Sequence, residues 1–452
     1  MKRFLALVLV ILTLFALVAC NMSVGVDGAY DAVYIGDGGY YGGRSGYGAS
    51  SKIAAGGVTG VYEGDGEGIP EDQQTIEAGQ MTAKAWDDNE HYDEWPELFA
   101  AKTDNDPAKK FNAYLTDQWV GDSSKRVKIT VTSEGGPVMG AEITYYGADQ
   151  RKYVALTNVG GVAYLFPPED EGRITVKSGD AVEAAEFTAE ERDLTVSFTD
   201  GASRANAIEI MFVIDATGSM GDEMHYLTAE LEDVVHRVAE QTEEVRIDLA
   251  LLFYRDDGDE EKFAYHDFVT VTEKRGLTAQ LTVLSKQRAM GGGDTPEAAD
   301  EAMLLATGKN WSEENSTKLI FWVLDAPPHE TEQAHARMAS AVNAASAKGI
   351  RICPILCSGA DNLCEYVTRM SALLTGGTSV FVTDDSGIGG SHLDPDLPEA
   401  TVEKLNDLLV RLIVGYHTGD FGTPVPWNEG QVGQEGDTEP PAAETSKGET
   451  AD

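Results

Sequence analysis

The sequence predicts an α/β protein: a doubly wound, mostly parallel sheet preceded by a small all-β sandwich, with unstructured ends. Three observations lead there. From Ala207 onward, short apolar runs alternate with amphipathic helical patterns. Between residues 125 and 199 the chain alternates apolar and polar with period two. At the ends, residues 25–68 hold 15 glycines, and residues 419–452 carry almost no aliphatic side chains, so neither stretch can bury enough apolar surface to offset its backbone entropy.

Composition narrows the classes. The chain has 452 residues, enough for two or three domains, and its 34 basic and 76 acidic side chains give a net charge of −42. Such a charge, with no Lys/Arg-rich stripe, argues against nucleic-acid binding and favours a cationic or metal-bearing partner. Four cysteines are too few for a disulfide-built scaffold.

The elements follow in order. Lys2 and Arg3 precede a fifteen-residue apolar run, Phe4 to Val18. That is short for a membrane span and suits the apolar core of a secretory signal. Leu17-Val18-Ala19-Cys20 resembles the lipobox of bacterial lipoproteins. The resemblance implies a signal peptide over 1–19, cleavage before Cys20, and a lipid on that cysteine. It implies a bacterial cell-envelope protein held on the membrane and facing away from the cytoplasm. Asn21 in place of Asp implies the outer membrane if the host is Gram-negative. Residues 20–69 then read as a flexible tether. Residues 70–122, with Trp86, Tyr92, Trp95, Phe99, Phe111, Tyr114 and Trp119, read as an aromatic pre-domain packing on the next module.

Residues 123–202 read as the sandwich, with Val127, Ile129 and Val131 on one face of its first strand and Lys128, Thr130 and Thr132 on the other. Further strands are expected at 142–146, 152–157, 162–166, 173–177, 182–187 and 194–198. Gly136-Pro137-Val138-Met139-Gly140-Ala141 and Thr157-Asn158-Val159-Gly160-Gly161 resemble the carboxypeptidase-regulatory-like, Ig-like modules of bacterial surface proteins, which implies a spacer. Residues 206–417 form the α/β unit. Its strands are expected at 208–214, 245–254, 266–271, 319–324, 350–356 and 379–382, and its helices at 220–241, 276–289, 296–307, 333–347, 361–374 and 401–415. Residues 418–452 read as a solvated acidic tail.

In a doubly wound sheet, ligands bind beyond the carboxyl ends of the strands. Three loops there carry oxygen donors. The first strand runs into Asp215-Ala216-Thr217-Gly218-Ser219, where period two puts one carboxylate and two hydroxyls on one side. Gly291-Gly292-Gly293-Asp294-Thr295-Pro296-Glu297 follows later, with Pro296 suited to a first helical position. Asp325 ends the strand at 319–324. An all-oxygen set of Asp215, Thr217, Ser219, Thr295 and Asp325 suits Mg²⁺, or Mn²⁺ or Ca²⁺, rather than Zn²⁺. If the hydroxyls bind directly and the carboxylates act through water, the ion keeps an open position for another molecule's carboxylate.

These motifs resemble the von Willebrand factor type A domain and its metal-ion-dependent adhesion site. Asp215-x-Thr217-x-Ser219 stands for the family's Asp-x-Ser-x-Ser, Thr295 for its isolated Thr, and Asp325 for its later Asp. Thr217 departs from the family's Ser, and Pro327-Pro328-His329 replaces the Gly turn found in many members. The resemblance implies metal-dependent binding of a protein that supplies an acidic residue, without catalysis.

Other segments carry lesser signals. Asp256-Asp257-Gly258-Asp259-Glu260-Glu261 reads as a solvated acidic loop near the site, and His329 and His335 lack zinc spacing. Cys353 reads as a buried apolar residue, while Cys357 and Cys364 are candidates for a disulfide. Two other functions remain open: a metal-dependent hydrolase of envelope polymers with Asp294 or Glu297 as base, and a scaffold whose metal only stabilises the fold.

Overall fold

The computed structural model describes residues 78–101, 109–114, 120–201, 204–242, 245–293, 295–395, 397 and 400–428. The signal peptide, the lipidation site Cys20, the tether, Trp119, Asp294 and most of the acidic tail lie outside the described residues.

The chain contributes a short strand, β1 (Thr82–Trp86), and then eight strands: β2 (Val127–Ser133), β3 (Gly136–Pro137), β4 (Glu142–Tyr146), β5 (Lys152–Leu156), β6 (Val162–Leu165), β7 (Gly172–Ser178), β8 (Ala181–Phe187) and β9 (Asp193–Phe198). The rest alternates: β10 (Ala207–Asp215), α1 (Gly221–Gln241), β11 (Arg246–Tyr254), β12 (Phe263–Thr270), α2 (Lys274–Lys286), α3 (Ala299–Thr307), β13 (Thr317–Leu324), α4 (Glu332–Lys348), β14 (Ile350–Leu356), α5 (Asn362–Thr375), β15 (Ser379–Val382), β16 (Glu403–Lys404) and α6 (Leu405–Thr418).

The large sheet has eight strands in the order β12-β11-β10-β13-β14-β15-β1-β16. Strands β11, β10, β13, β14 and β15 run parallel, while β12, β1 and β16 bring antiparallel pairings. Every residue of β10, β13 and β14 is buried, as expected for strands covered by helices on both faces. Alternate residues feed two cores. Ile210, Phe212 and Ile214 pack with Leu227, Leu231 and Val234 of α1 and Leu408 and Leu412 of α6. Met211 and Val213 pack with Met303 of α3, Met338 and Val342 of α4, and Val367 and Met370 of α5.

Helix ends follow local chemistry. Thr331 caps α4 by accepting from Ala334 N (3.1 Å), and Asp361 caps α5 by accepting from Cys364 N (2.8 Å). Both helices stop at a left-handed glycine, Gly349 (φ 70°) and Gly376 (φ 69°).

Residues 127–198 form two four-stranded sheets, one of β3, β2, β6 and β9 and one of β5, β4, β7 and β8. Val127, Ile129, Val131, Ile143, Ile174, Val176, Phe187 and Val196 belong to one apolar cluster.

Two expectations about the flanks change. The segment read as a pre-domain is built into the large sheet: β1 lies between β15 and β16, with Ala83 opposite Val382 and Ala85 opposite Val380. Phe111 and Phe99 pack on α5 of the α/β unit, 5.5 Å and 5.9 Å (ring centroids) from Tyr366, while Tyr92 packs on Phe166 of the module that follows, at 6.4 Å. Without β1, the far edge of β15 would be an unpaired ladder, which explains why a five-residue strand of weak pattern is recruited there. The start of the tail also returns to the fold. Trp427 N donates to Val402 O (2.8 Å) and Val425 N to Glu403 Oε2 (3.2 Å).

Candidate functional site

Strand β10 is central, so Asp215 at its carboxyl end is fully buried, level with Tyr254 on β11. The chain then turns through Gly218–Met220 into α1. That turn is held by Asp215 Oδ1, which accepts from Thr217 N (2.9 Å) and Thr217 Oγ1 (2.7 Å); Thr217 Oγ1 is 3.4 Å from Ser219 Oγ. β13 runs parallel to β10, which brings Asp325, just past its end, to the same level. Asp325 is 6% exposed, and the hydroxyl of Ser219 hydrogen-bonds to it. Asp215, Thr217, Ser219 and Asp325 therefore form one connected group.

The glycine loop closes over this group. Met290 N donates to Ala216 O (3.0 Å) and Gly218 N to Gly291 O (3.3 Å). Gly291, Gly292 and Gly293 all have positive φ (82°, 70° and 131°). A Cβ on Gly292 would sit 2.9 Å from Glu297 Oε1 and 3.2 Å from Thr217 Cβ, so glycine is needed for the close approach. The acidic loop read as solvated has a structural role here: Asp259 Oδ2 accepts from Gly292 N (3.0 Å) and Asp256 N (3.0 Å). Asp257 and Glu260 do face solvent.

Pro296 does not open a helix. Thr295-Pro296 is a cis peptide, Glu297 bridges to Pro328 with its N–H on Pro327 O (3.0 Å), and α3 starts only at Ala299. The Pro-Pro-His segment thus fastens the third loop to the second. His329 Nε2 lies 2.8 Å from Asp256 Oδ1, which ties it to the acidic loop instead of to His335. Thr295 is exposed, and among the described residues its side chain makes no hydrogen bond to the other four predicted ligands.

The electrostatics are one-sided. Burial pushes the Asp215 carboxyl up to about 7, with the charge of Asp325 adding to it. Burial also raises Asp325, against the pull of the Ser219 hydroxyl. Glu297, 4% exposed, is pushed to about 9 by burial and then by Asp215, Asp256, Asp325 and Asp259. Asp215 Oδ2, Asp325 Oδ1, Glu297 Oε2 and Glu223 Oε2 are buried with no hydrogen-bond partner. Glu223, which sequence reading did not single out, is 2% exposed and accepts from Ser358 N (3.1 Å) and Ser358 Oγ. Its position in the first turn of α1, four residues after Ser219, is the available signal. Among the described residues no three His, Cys, Asp or Glu side chains converge as a metal site; the group at Asp215 has two carboxylates and adds hydroxyls.

The candidate disulfide is not formed: Cys353, Cys357 and Cys364 are free and buried. The large sheet separates the last two, with Cys357 in the core beneath α1 and α6 and Cys364 in the core beneath α3, α4 and α5.

Residues 209–373 match the family model of the von Willebrand factor A domain. An ariadne-like RING finger protein of Acanthamoeba polyphaga mimivirus is 32% identical over 142 residues, covering 30% of this chain and 13% of that protein. The alpha-protein kinase vwkA of Dictyostelium discoideum is 26% identical over 199 residues, covering 43% and 30% respectively. The chain spans less than a third of either relative. Among solved structures, the pilus adhesin SpaC from Lactobacillus rhamnosus GG, in its open conformation, aligns with TM-score 0.33 and 9% identity over 67% of this chain and 34% of that one. The α/β part of this chain is thus similar to the von Willebrand factor A domain over residues 209–373.

Proposed function

We propose that this protein captures a protein partner through a divalent cation, Mg²⁺ or the similar Mn²⁺ or Ca²⁺, held at the end of β10. The observation that carries the reading is the pair of orphaned, buried oxygens, Asp215 Oδ2 and Asp325 Oδ1, beside the hydroxyls of Thr217 and Ser219. Neither carboxylate is ion-paired with Lys, Arg or His among the described residues, and uncompensated buried carboxylates call for a cation. Asp215, Thr217, Ser219 and Asp325 would hold it, with Thr295 joining from the glycine loop. A bound ion supplies Lewis-acid attraction for a carboxylate of the partner; the chain's own residues orient the ion and shield it from water. Catalysis forms no part of this proposal.

The remaining parts serve presentation. The lipobox-like Cys20 would anchor the chain in the cell envelope, outside the cytoplasm, and residues 20–69 would act as the tether. The two small sheets would be an Ig-like spacer. Among the described residues no helix is long and apolar enough to cross a membrane.

The test uses the full chain. Thermal unfolding with Mg²⁺ or with chelator should show a saturable stabilisation, about 2.7 kcal/mol at a hundredfold excess over Kd. Asp215→Ala should abolish that response, and capture of a partner from envelope extract should be lost with chelator and in Ser219→Ala. An unchanged metal response in Asp215→Ala defeats the site; capture indifferent to chelator reduces the metal to a structural role.

A further inference from the structure

Tyr254 ends β11 directly opposite Asp215, and Trp322 on β13 stands opposite Val213 of the same central strand. Paired residues of parallel strands point to one face, and so do residues two apart. Asp215, Tyr254 and Trp322 therefore share the face of the sheet that packs under α3, α4 and α5, and all three are fully buried.

A buried indole N–H needs an acceptor. Trp322 Nε1 donates to the Tyr254 hydroxyl oxygen at 3.3 Å. A phenol keeps its proton at neutral pH and can donate while it accepts, so Tyr254 still has one proton to place. Asp215 takes it: the Tyr254 hydroxyl hydrogen-bonds to that carboxyl and favours its charged form.

The carboxylate is thus held from two sides. Thr217 N and Oγ1 grip Oδ1 from the turn after β10, and Tyr254 reaches the group from the neighbouring strand. Oδ2 keeps no bond of its own within ordinary distance. The last torsion of an aspartate is broad, so its own turn alone leaves the carboxylate some freedom to swing. A donor mounted on a second strand, itself held by a third, takes that freedom away before any ion arrives.

We infer that Tyr254 is a positioning residue of the cation site: held by Trp322, its hydroxyl sets the direction of the Asp215 carboxylate, so that Oδ2 is presented to the ion or to its water. The inference rests on the cation reading of this site and adds to it two residues that touch no ion themselves.

The experiment measures the Mg²⁺ Kd of the full chain by isothermal titration calorimetry, well below the melting point of every variant. Tyr254→Phe keeps the ring and removes the hydroxyl, and it should weaken Mg²⁺ binding about 10–100-fold. Val342→Ala, in the same core on α4, serves as the control for loosened packing: it should melt lower in chelator and keep the wild-type Kd. Should Tyr254→Phe not fold, Trp322→Phe takes its place, with a weakened Kd again expected. A Kd equal to wild type in the tyrosine variant, or an equal loss in Val342→Ala, overturns the inference and leaves the cation reading standing. Absence of Mg²⁺ binding in wild type defeats that reading, and this inference with it.

Discussion

Arg369 on α5 is a sharp test of whether residues 78–114 belong to the α/β fold. Its guanidinium is 4% exposed and grips Asp88 with two bonds, Nε to Oδ2 at 3.0 Å and Nη2 to Oδ1 at 2.5 Å. Nη1 bonds Glu365 Oε1 at 3.1 Å, and Glu365 is fully buried. Lys110 pairs with the other oxygen of Glu365, and the rings of Trp95 and Phe111 lie 5.5 Å and 5.6 Å from the guanidinium carbon. Removing one partner of a buried pair costs about 3–5 kcal/mol, because the other charge is left unpaired in a dry site. Arg369→Ala leaves two buried acids without this cation, whereas Asp88→Ala leaves Arg369 still bound to Glu365. Arg369→Ala is therefore the more damaging, with a melting point lower by about 6–20 °C at roughly 2–4 °C per kcal/mol. Thermal unfolding followed by far-UV circular dichroism measures this. The reasoning fails if both variants lie within about 1 kcal/mol of wild type, or if Asp88→Ala is the worse.

Further outcomes are open to measurement. Gly292→Ala combines an unfavourable φ of 70° with a Cβ 2.9 Å from Glu297 Oε1. It should cost about 1–2 kcal/mol and blunt the Mg²⁺-dependent rise in melting temperature. His417, with Nδ1 3.2 Å from Thr317 Oγ1, has its pKa held below 6.5 by burial. A depressed histidine pKa means that its stability contribution is complete above 6.5 and is lost as pH falls through the folded-state value. His417→Gln should therefore flatten the fall in urea midpoint as pH drops below about 6.5. In a Cys20→Ala chain, a maleimide should label no cysteine while native and three after denaturation, since Cys353, Cys357 and Cys364 are free, buried and raised in pKa by that burial. Two labels lost after denaturation would restore the disulfide.

The central strands were legible because Ile208–Ile214, Leu319–Leu324 and Ile350–Leu356 are continuous apolar runs with helical patterns between them. Three of the site's loops could be read for the same reason, since chemistry at strand ends follows once the strands are placed. What stayed hidden depends on contacts distant in the chain. Nothing local in Thr-Ala-Lys-Ala-Trp announces a strand whose partners lie near 380 and 403. Pro296 looked like a helix start, but the pairing of Glu297 with Pro328 delays α3 by three residues. The spacing of Cys357 and Cys364 suggested a bridge, and only the sheet between them shows why none forms.

The position of β1 has a practical consequence for dissecting this protein. Cutting the chain at a boundary near residue 206 would not yield a tidy domain, because the sheet would lose a strand from between two others. The hydrogen-bonding rim of β15 would be bared and the hydrophobic bed on α5 stripped of Trp86, Trp95 and Phe111. Such a fragment would tend to self-associate through that raw flank, so failure of the truncated piece to bind anything would say nothing about the adhesive face.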